Sequence, residues 1–257
     1  MLVTNKTLQL WANQYVQHEW LKAAARRSSN AHYVEAFMDA LEGAYSSQLL
    51  KTVVNMADQN GNTSLHYAVS HGNFDIVSLL LDSKVCDLNW PNKAGYTPVM
   101  LAALCQLENE TSKMVVQRLF HMGDVNVKAT QHGQTALMLA VSHGKWETAQ
   151  LLVSAGAGLN VQDEDGSTAL MCAAEHGHAE IVRWLLQQTD IDATIADYDG
   201  STALSIAVEN GHRDIGVLIY AHLNYANTAS SPTVGVAANK IATPNEAGAS
   251  TEAASSC

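Results

Sequence analysis

The sequence is short of basic residues: 14 lysines and arginines stand against 25 aspartates and glutamates, for a formal net charge of -11. With no Lys/Arg cluster to offset that excess, a phosphate backbone is repelled rather than gathered, and nucleic-acid binding is not expected. The same surface suits a basic partner segment. Cysteine is scarce as well. Cys86, Cys105, Cys172 and Cys257 show no framework spacing and no C-x-x-C, so neither disulfide staples nor a zinc site is implied. No apolar stretch approaches the roughly 18 residues of a membrane span. Met1 to Leu10 lacks the charged-then-apolar layout of a secretory signal. Cys257 stands last, whereas prenylation needs a cysteine fourth from the end. The expectation is a soluble chain in a reducing cytoplasm, without membrane insertion.

Motifs that carry chemistry are equally thin. There is no phosphate loop, no G-x-S-x-G elbow and no dinucleotide fingerprint. His18-Glu19 lacks the second histidine of a metalloprotease helix, and His176-x-His178 has no cysteine at zinc-site spacing. His71, His143 and His176 recur beside a glycine, where imidazole bonds nearby backbone rather than a metal. Cys172 lies in an alanine-rich stretch, a packing place rather than a nucleophile's. Catalytic residues, metal ligands and cofactors are therefore not expected, and the chain does not read as an enzyme.

What is present is repetition. Five phrases recur: Gly61-Asn-Thr-Ser-Leu, Gly95-Tyr-Thr-Pro-Val, Gly133-Gln-Thr-Ala-Leu, Gly166-Ser-Thr-Ala-Leu and Gly200-Ser-Thr-Ala-Leu, at steps of 34, 38, 33 and 34. A second punctuation follows in four of them: His71-Gly72, His143-Gly144, His176-Gly177 and Asn210-Gly211. A period near 33 means one repeated structural unit. The glycine permits a turn with positive φ, the threonine hydroxyl caps a short first helix, and Pro98 suits a first helical position. The first helices carry small residues such as Ala169, Ala173 and Ala174, which let neighbours approach closely. The second helices carry an apolar stripe: Ile76, Val77, Leu80 and Leu81, then Ile181, Val182, Leu185 and Leu186, then Ile215, Leu218 and Ile219. A single pair cannot hide that stripe, so the stack is the stable object, and with 47% hydrophobic residues a sizeable core is available.

These phrases resemble the ankyrin repeat, over residues 58 to 224. The resemblance implies an all-α solenoid of five repeats, each with a β-hairpin tip and an antiparallel helix pair. Only the first unit keeps the family's histidine, His66; Met100, Met138, Met171 and Ser205 replace it, which puts that residue's hydrogen bonds in doubt elsewhere. The second unit lacks a glycine after Cys105, and its four extra residues are expected around Gln106 to Lys113 as a longer inter-helix turn. Residues 1–30 read as an N-terminal capping helix with a stripe of Leu8, Trp11, Tyr15 and Val16. Residues 31–57 read as a degenerate opening repeat with Leu49, Leu50, Val53 and Val54, and 58–226 as the five repeats. Residues 227–257 are poor in large apolar side chains and are expected to be disordered.

Several phrases are more particular: Ala57-Asp-Gln-Asn-Gly-Asn-Thr-Ser-Leu-His-Tyr, Asn92-Lys-Ala-Gly-Tyr-Thr-Pro-Val-Met-Leu-Ala-Ala-Leu, Gly133-Gln-Thr-Ala-Leu-Met-Leu-Ala-Val-Ser-His-Gly, Asp165-Gly-Ser-Thr-Ala-Leu-Met-Cys-Ala, Asp199-Gly-Ser-Thr-Ala-Leu-Ser-Ile-Ala and Tyr220-Ala-His. From about residue 8 to 226 they resemble the C-terminal ankyrin domain of the KANK family. That resemblance implies a cortical scaffold that restrains actin assembly and links microtubules to adhesion sites, holding a peptide of a kinesin-4 family motor. The family's talin-binding motif and liprin-binding coiled coil have no counterpart here, so those partners do not carry over. The repeats alone equally permit an ankyrin inhibitor or adaptor that masks a kinase or transcription factor.

In either case the hairpin tips and the outer side of the first helices would line a concave face. The tips grow acidic toward the C-terminal end: Asp163, Glu164, Asp165, then Asp197, Tyr198 and Asp199. Ser142, Glu175 and Glu209 fall near the ends of first helices. The expected site is a carboxylate-rich groove that takes a partner arginine between carboxylates and the Tyr198 ring, with partner aliphatics beside Met138 and Met171. The bland alternative is that tip carboxylates serve only turns and solubility. Trp146 and Trp184 read as stripe-edge or convex-face residues rather than binding hot spots.

Overall fold

The computed structural model describes residues 5–44 and 46–229, so the tail expected to be disordered falls outside the described residues beyond Ala229. Helices α1 (Asn5–Ala24), α2 (Ala31–Ala44) and α3 (Ser47–Val54) precede the first glycine phrase. A helix pair follows each phrase: α4 (Ser64–Ser70) with α5 (Phe74–Asp82), α6 (Pro98–Ala103) with α7 (Glu110–Met122), α8 (Ala136–Ser142) with α9 (Trp146–Ser154), α10 (Ala169–Glu175) with α11 (Ala179–Leu185), and α12 (Ala203–Glu209) with α13 (Arg213–Ala229). No sheet forms among the described residues. The expected β-hairpins reduce to turns, with single antiparallel bridges at Ala57–Thr63 and Ala196–Thr202.

The period decides how the pairs pack. First helices lie on first helices, α4 on α6, α6 on α8, α8 on α10 and α10 on α12, while second helices pack α5 on α7, α7 on α9 and α11 on α13. Ala169, Ala173 and Ala174 are fully covered, as are Ile76, Val77, Leu80 and Leu81 and, farther along, Ile181, Val182, Leu185, Ile215 and Ile219. At about 1.5–3 kcal/mol for each large aliphatic removed from water, this shared burial is the main stabilising term. Trp146 and Trp184 meet edge to face at 5.6 Å on neighbouring second helices, half-buried at the margin of that stripe.

Each first helix starts at a threonine in extended backbone. Thr63, Thr97, Thr135, Thr168 and Thr202 are the N-caps. In four of the five, Thr97 with Met100 being the exception, the residue three positions on returns an acceptor to the threonine N–H. His66 Nδ1 does so at 3.1 Å, Met138 Sδ and Met171 Sδ at 3.4 Å, and Ser205 Oγ at 2.9 Å. The family histidine is therefore replaced by softer or shorter acceptors in the same place, not simply lost. His66 also spans to the next unit, its Nε2 lying 3.1 Å from the Tyr96 carbonyl.

A ladder of asparagines ties successive inter-unit loops. Asn55 donates to the Val85 carbonyl at 2.8 Å and accepts from Asp87 N at 2.6 Å. Asn89 accepts from Asp124 N, Asn126 bridges Gly156 O and Gly158 N, and Asn160 bridges Asp190 O and Asp192 N. The ladder ends at Thr194, which turns back on its own Asp192. Ahead of the first phrase, α1 lies on α4 and α2 on α5, with α3 against both α1 and α2. Trp20, wholly buried and 5.6 Å from the Phe37 ring, anchors α1. Of the stripe expected there, Val16 is half-buried against the core, whereas Trp11 and Tyr15 are 68% and 58% exposed. The Leu8 side chain lies outside the described residues. The insertion of the second unit is also shorter as a turn than expected, since Asn109 caps α7 and Glu110 to Lys113 already belong to that longer helix.

These contacts bear on stability in two measurable ways. Burial holds the His66 imidazole below its ordinary pKa, against the opposing pull of the Tyr96 carbonyl. The folded state therefore prefers the neutral ring, and its contribution is complete above about pH 6.5 and shrinks as pH falls, by at most about 1.4 kcal/mol per pH unit. Urea midpoints at pH 7.5 and 5 should diverge more for the unaltered chain than for His66→Met, which keeps a sulfur acceptor at the cap. The second concerns glycines that end first helices. Gly177 has φ +75° and a Cβ there would sit 2.6 Å from the His212 ring, whereas Gly211 has φ +80° and open space. Gly211→Ala should cost about 1 kcal/mol for backbone strain alone. Gly177→Ala should cost clearly more in the same denaturation experiment, because the ring of the next unit must also move.

Candidate peptide-binding face

Rotation of about 100° per residue sorts each first helix into a buried and an open side. Residues three beyond the cap threonine turn back into the stack. Met138 and Met171 are 0% and 2% exposed, with their sulfurs occupied at the caps, so the expectation that partner side chains pack beside them is corrected. The position seven beyond the cap, Ser70, Leu104, Ser142, Glu175 and Glu209, is the open side; of the position four beyond it, Tyr67, Leu101 and Ile206 are half-buried below that side, while Leu139 and Cys172 are 5% and 6% exposed. Two cavities show this directly. One of about 560 Å³ is walled by Ser70, Leu101 and Leu104 together with Arg27 and Glu108. Another of about 500 Å³ is walled by Tyr67, the first tip and α1.

The tip carboxylates divide into two kinds. Asp163 is 7% exposed, and its Oδ1 accepts from Asp165 N at 3.1 Å and Ser167 N at 2.8 Å. Asp197 is half-buried and accepts from Asp199 N and Ser201 N in the same way. These two are turn-formers, as the bland reading of tip carboxylates holds. Glu164, Asp165, Asp199, Glu175 and Glu209 are exposed, and among the described residues no lysine or arginine lies within ion-pair distance of them. Tyr198 is 74% exposed. Its N–H donates to the Asp165 carbonyl at 3.0 Å, and its ring lies over Gly166, close enough that a Cβ there would meet Tyr198 Cδ1 at 3.0 Å.

Cys172 marks where several of these groups converge. Burial pushes its thiol up to about 11; the Ser142 hydroxyl opposes that rise, and the charges of Asp163 and Glu175 add to it. A protonated, covered thiol of this kind packs rather than reacts. The ends of the first helices are closed by the following unit: His178 Nε2 lies 3.0 Å from the Ser142 carbonyl, and His212 Nε2 lies 3.1 Å from the Glu175 carbonyl. His143 and His176 bond the carbonyls of Leu139 and Cys172, four residues back. Among the described residues, no three His, Cys, Asp or Glu side chains are grouped so as to hold a metal ion, and no helix is long and apolar enough to cross a membrane.

Sequence reasoning missed the floor residues Leu101, Leu139 and Ile206 and the basic side chains of α1 that face the first tip. Counting four from each cap threonine would have found the floor. Nothing in the α1 sequence signalled that Lys22 and Arg26 border this face, because that depends on how α1 docks.

The family model for ankyrin repeats (3 copies) matches at residues 21–128, 84–163, 109–197 and 137–229. The chain is 36% identical over 111 residues to the probable 26S proteasome regulatory subunit p28 of Saccharomyces cerevisiae, covering 42% of this chain and 46% of that one. It is 32% identical over 111 residues to ankyrin repeat and SAM domain-containing protein 6 of Rattus norvegicus, covering 42% of this chain and 12% of the relative. It is 32% identical over 142 residues to alpha-latrotoxin-Lg1a of Latrodectus geometricus, covering 54% of this chain and 10% of the toxin. The chain thus spans less than half the length of each of these relatives. With stacked helix pairs, threonine-capped first helices and a family match reaching from residue 21 to 229, the chain belongs to the ankyrin-repeat family.

Proposed function

We propose that this chain is a non-enzymatic protein–protein interaction scaffold that holds an extended peptide along the tips and first helices. Ankyrin repeats are interaction modules, and the open side described above is the surface they leave to a partner. In this reading α1 to α3 close the N-terminal end as a cap and degenerate opening repeat, and five full repeats follow. The observation that carries the site is the run of exposed carboxylates without a lysine or arginine partner, Glu164, Asp165, Glu175 and Asp199, of which Asp199 adjoins the exposed Tyr198 in sequence and Asp165 bonds the Tyr198 N–H through its carbonyl. An arginine of the partner enters there, its guanidinium forked between carboxylates and stacked on the ring. Asp163 and Asp197 shape the tips that present these groups, and Ser142 and Glu209 border the same face. The KANK-like phrases support a peptide of a kinesin-4 family motor as that partner, with a place at the cytoplasmic cell cortex linking actin regulation and microtubules.

Titration of arginine-bearing peptides, tiled across a kinesin-4 family motor, into the full chain tests this reading. Glu175→Gln with Asp199→Asn should weaken the binding peptide about tenfold, in line with loss of charge-assisted hydrogen bonds. Added salt should weaken the unaltered chain as well. Asp163→Asn serves as the control and should leave affinity unchanged, since an amide oxygen accepts the same two turn bonds. Equal affinity for the double variant would remove arginine capture. Binding of arginine peptides unrelated to the motor, with no motor peptide among them, would remove the kinesin-4 assignment.

A further inference from the structure

We infer that the α1 end of this face is a carboxylate-binding pocket centred on Arg26, so that a bound peptide is charge-ordered. An acidic side chain sits between α1 and the first tip, and the arginine sits about ten residues away at the fourth and fifth tips. The inference rests on the groove reading above and adds a second anchor of opposite sign.

The pocket is the cavity of about 500 Å³ walled by Gln14, His18, Lys22 and Arg26 of α1 and by Asp58 and Tyr67 of the first unit. The Gln17 side-chain amide, which donates to the Ala57 carbonyl, holds α1 against the base of that tip. The charges around the cavity do not cancel. Asp58 is already satisfied by three donors: Asn60 N at 2.9 Å, Asn62 N at 2.8 Å and the Tyr67 hydroxyl at 2.7 Å. Lys22 shares its charge with Glu19 at 3.4 Å, on the exposed side of α1. Arg26 has no carboxylate within ion-pair distance among the described residues, and neither has Arg27, which walls the adjoining cavity of about 560 Å³. Among the charged side chains that line this cavity, Lys22 and Arg26 stand against Asp58 alone, and Arg26 is the cation without an ion-pair partner among the described residues.

At the other end the uncompensated charge is negative, as Glu164, Asp165, Glu175 and Asp199 show. A guanidinium binds a carboxylate in two-point fashion. Stacked helices stand about 8–10 Å apart, so the first tip and the gap between the fourth and fifth are roughly 30 Å apart, a span that an extended chain covers in about ten residues. Charge of one sign at each end also penalises a peptide lying the wrong way round, because both of its ends would then meet like charge.

A phage-displayed library of random sixteen-residue peptides, panned against the full chain and against its Arg26→Glu variant, tests this. Arg26 is exposed, so the variant keeps the fold, which thermal denaturation would verify. Peptides taken by the unaltered chain should carry Asp or Glu about ten residues from an Arg, each enriched about two- to fivefold over the library, the range of a modest ion pair. On the variant, the acidic enrichment should vanish while the arginine enrichment persists. Arginine enrichment without acidic enrichment, or acidic enrichment unchanged by Arg26→Glu, overturns the pocket and leaves the groove standing. Absence of arginine enrichment overturns the groove reading, and the charge order with it.

Discussion

Everything in this structure depends on the fact that one helix pair cannot take its own apolar stripe out of water. Each pair leaves Ile, Val and Leu side chains of its second helix, and the alanine side of its first, facing along the stack, and only the next pair covers them. The effect of covering is visible within the chain. Val141 and Ala174 are wholly buried, while Val208, at the same position of the last described first helix, is 60% exposed, with no further pair among the described residues to cover it. Gly166 and Gly177 are crowded by the next unit, whereas Gly200 and Gly211 face open space. The same residue types serve in both places; what changes is whether a neighbour is present.

Because apolar stacking fixes one wall, directional bonds are left to fix register. The asparagine ladder does so. Each of Asn55, Asn126 and Asn160 binds both a carbonyl and an N–H of the following loop, so sliding one unit past another breaks two bonds per step. The histidines after the helix-ending glycines add a third tie through the carbonyls of Ser142 and Glu175. The asparagine bonds run between inter-unit loops, away from the first helices. The open side is therefore free to vary from unit to unit: Tyr67, Leu101, Leu139, Cys172 and Ile206 occupy one equivalent position, and Ser70, Leu104, Ser142, Glu175 and Glu209 another. Positions that must meet the next copy are nearly constant within this one chain, and positions on the open side of the first helices are not.

That contrast explains what could be read from the sequence. The glycine and threonine phrases and the second-helix stripes recur with a period, and a period can be counted without a structure. The buried set Ile76, Val77, Leu80 and Leu81 follows directly from it. Sequence alone misplaces Met138 and Met171 because an alanine-rich helix has no polar side to orient it, and a one-residue error turns the side chain from the open face into the stack. Trp11 and Tyr15 repeat at helical spacing as convincingly as a core stripe would, yet no described residue buries them, and Trp20 carries the burial instead. The ladder asparagines recur at steps of 34, 37 and 34, so they could have been counted too, but a polar repeat offers no burial argument.

The tips show how a single residue type can serve folding at one position and recognition two positions later. In the second tip, Asn92 holds the same two turn amides, Ala94 N and Tyr96 N, that Asp163 and Asp197 hold in theirs. A neutral amide therefore suffices for the turn, and the negative charge at the first tip position is incidental to it. In the third tip Thr130 stands at that position, and there His132 takes a positive φ of 65° instead. The fold thus asks of the first tip position an acceptor, not a charge, and asks nothing of the second and third positions beyond tolerance of the turn. Carboxylates at Glu164, Asp165 and Asp199 are consequently unexplained by folding. Under the arginine-capture proposal these side chains serve recognition, while Asp163 and Asp197 serve the turn.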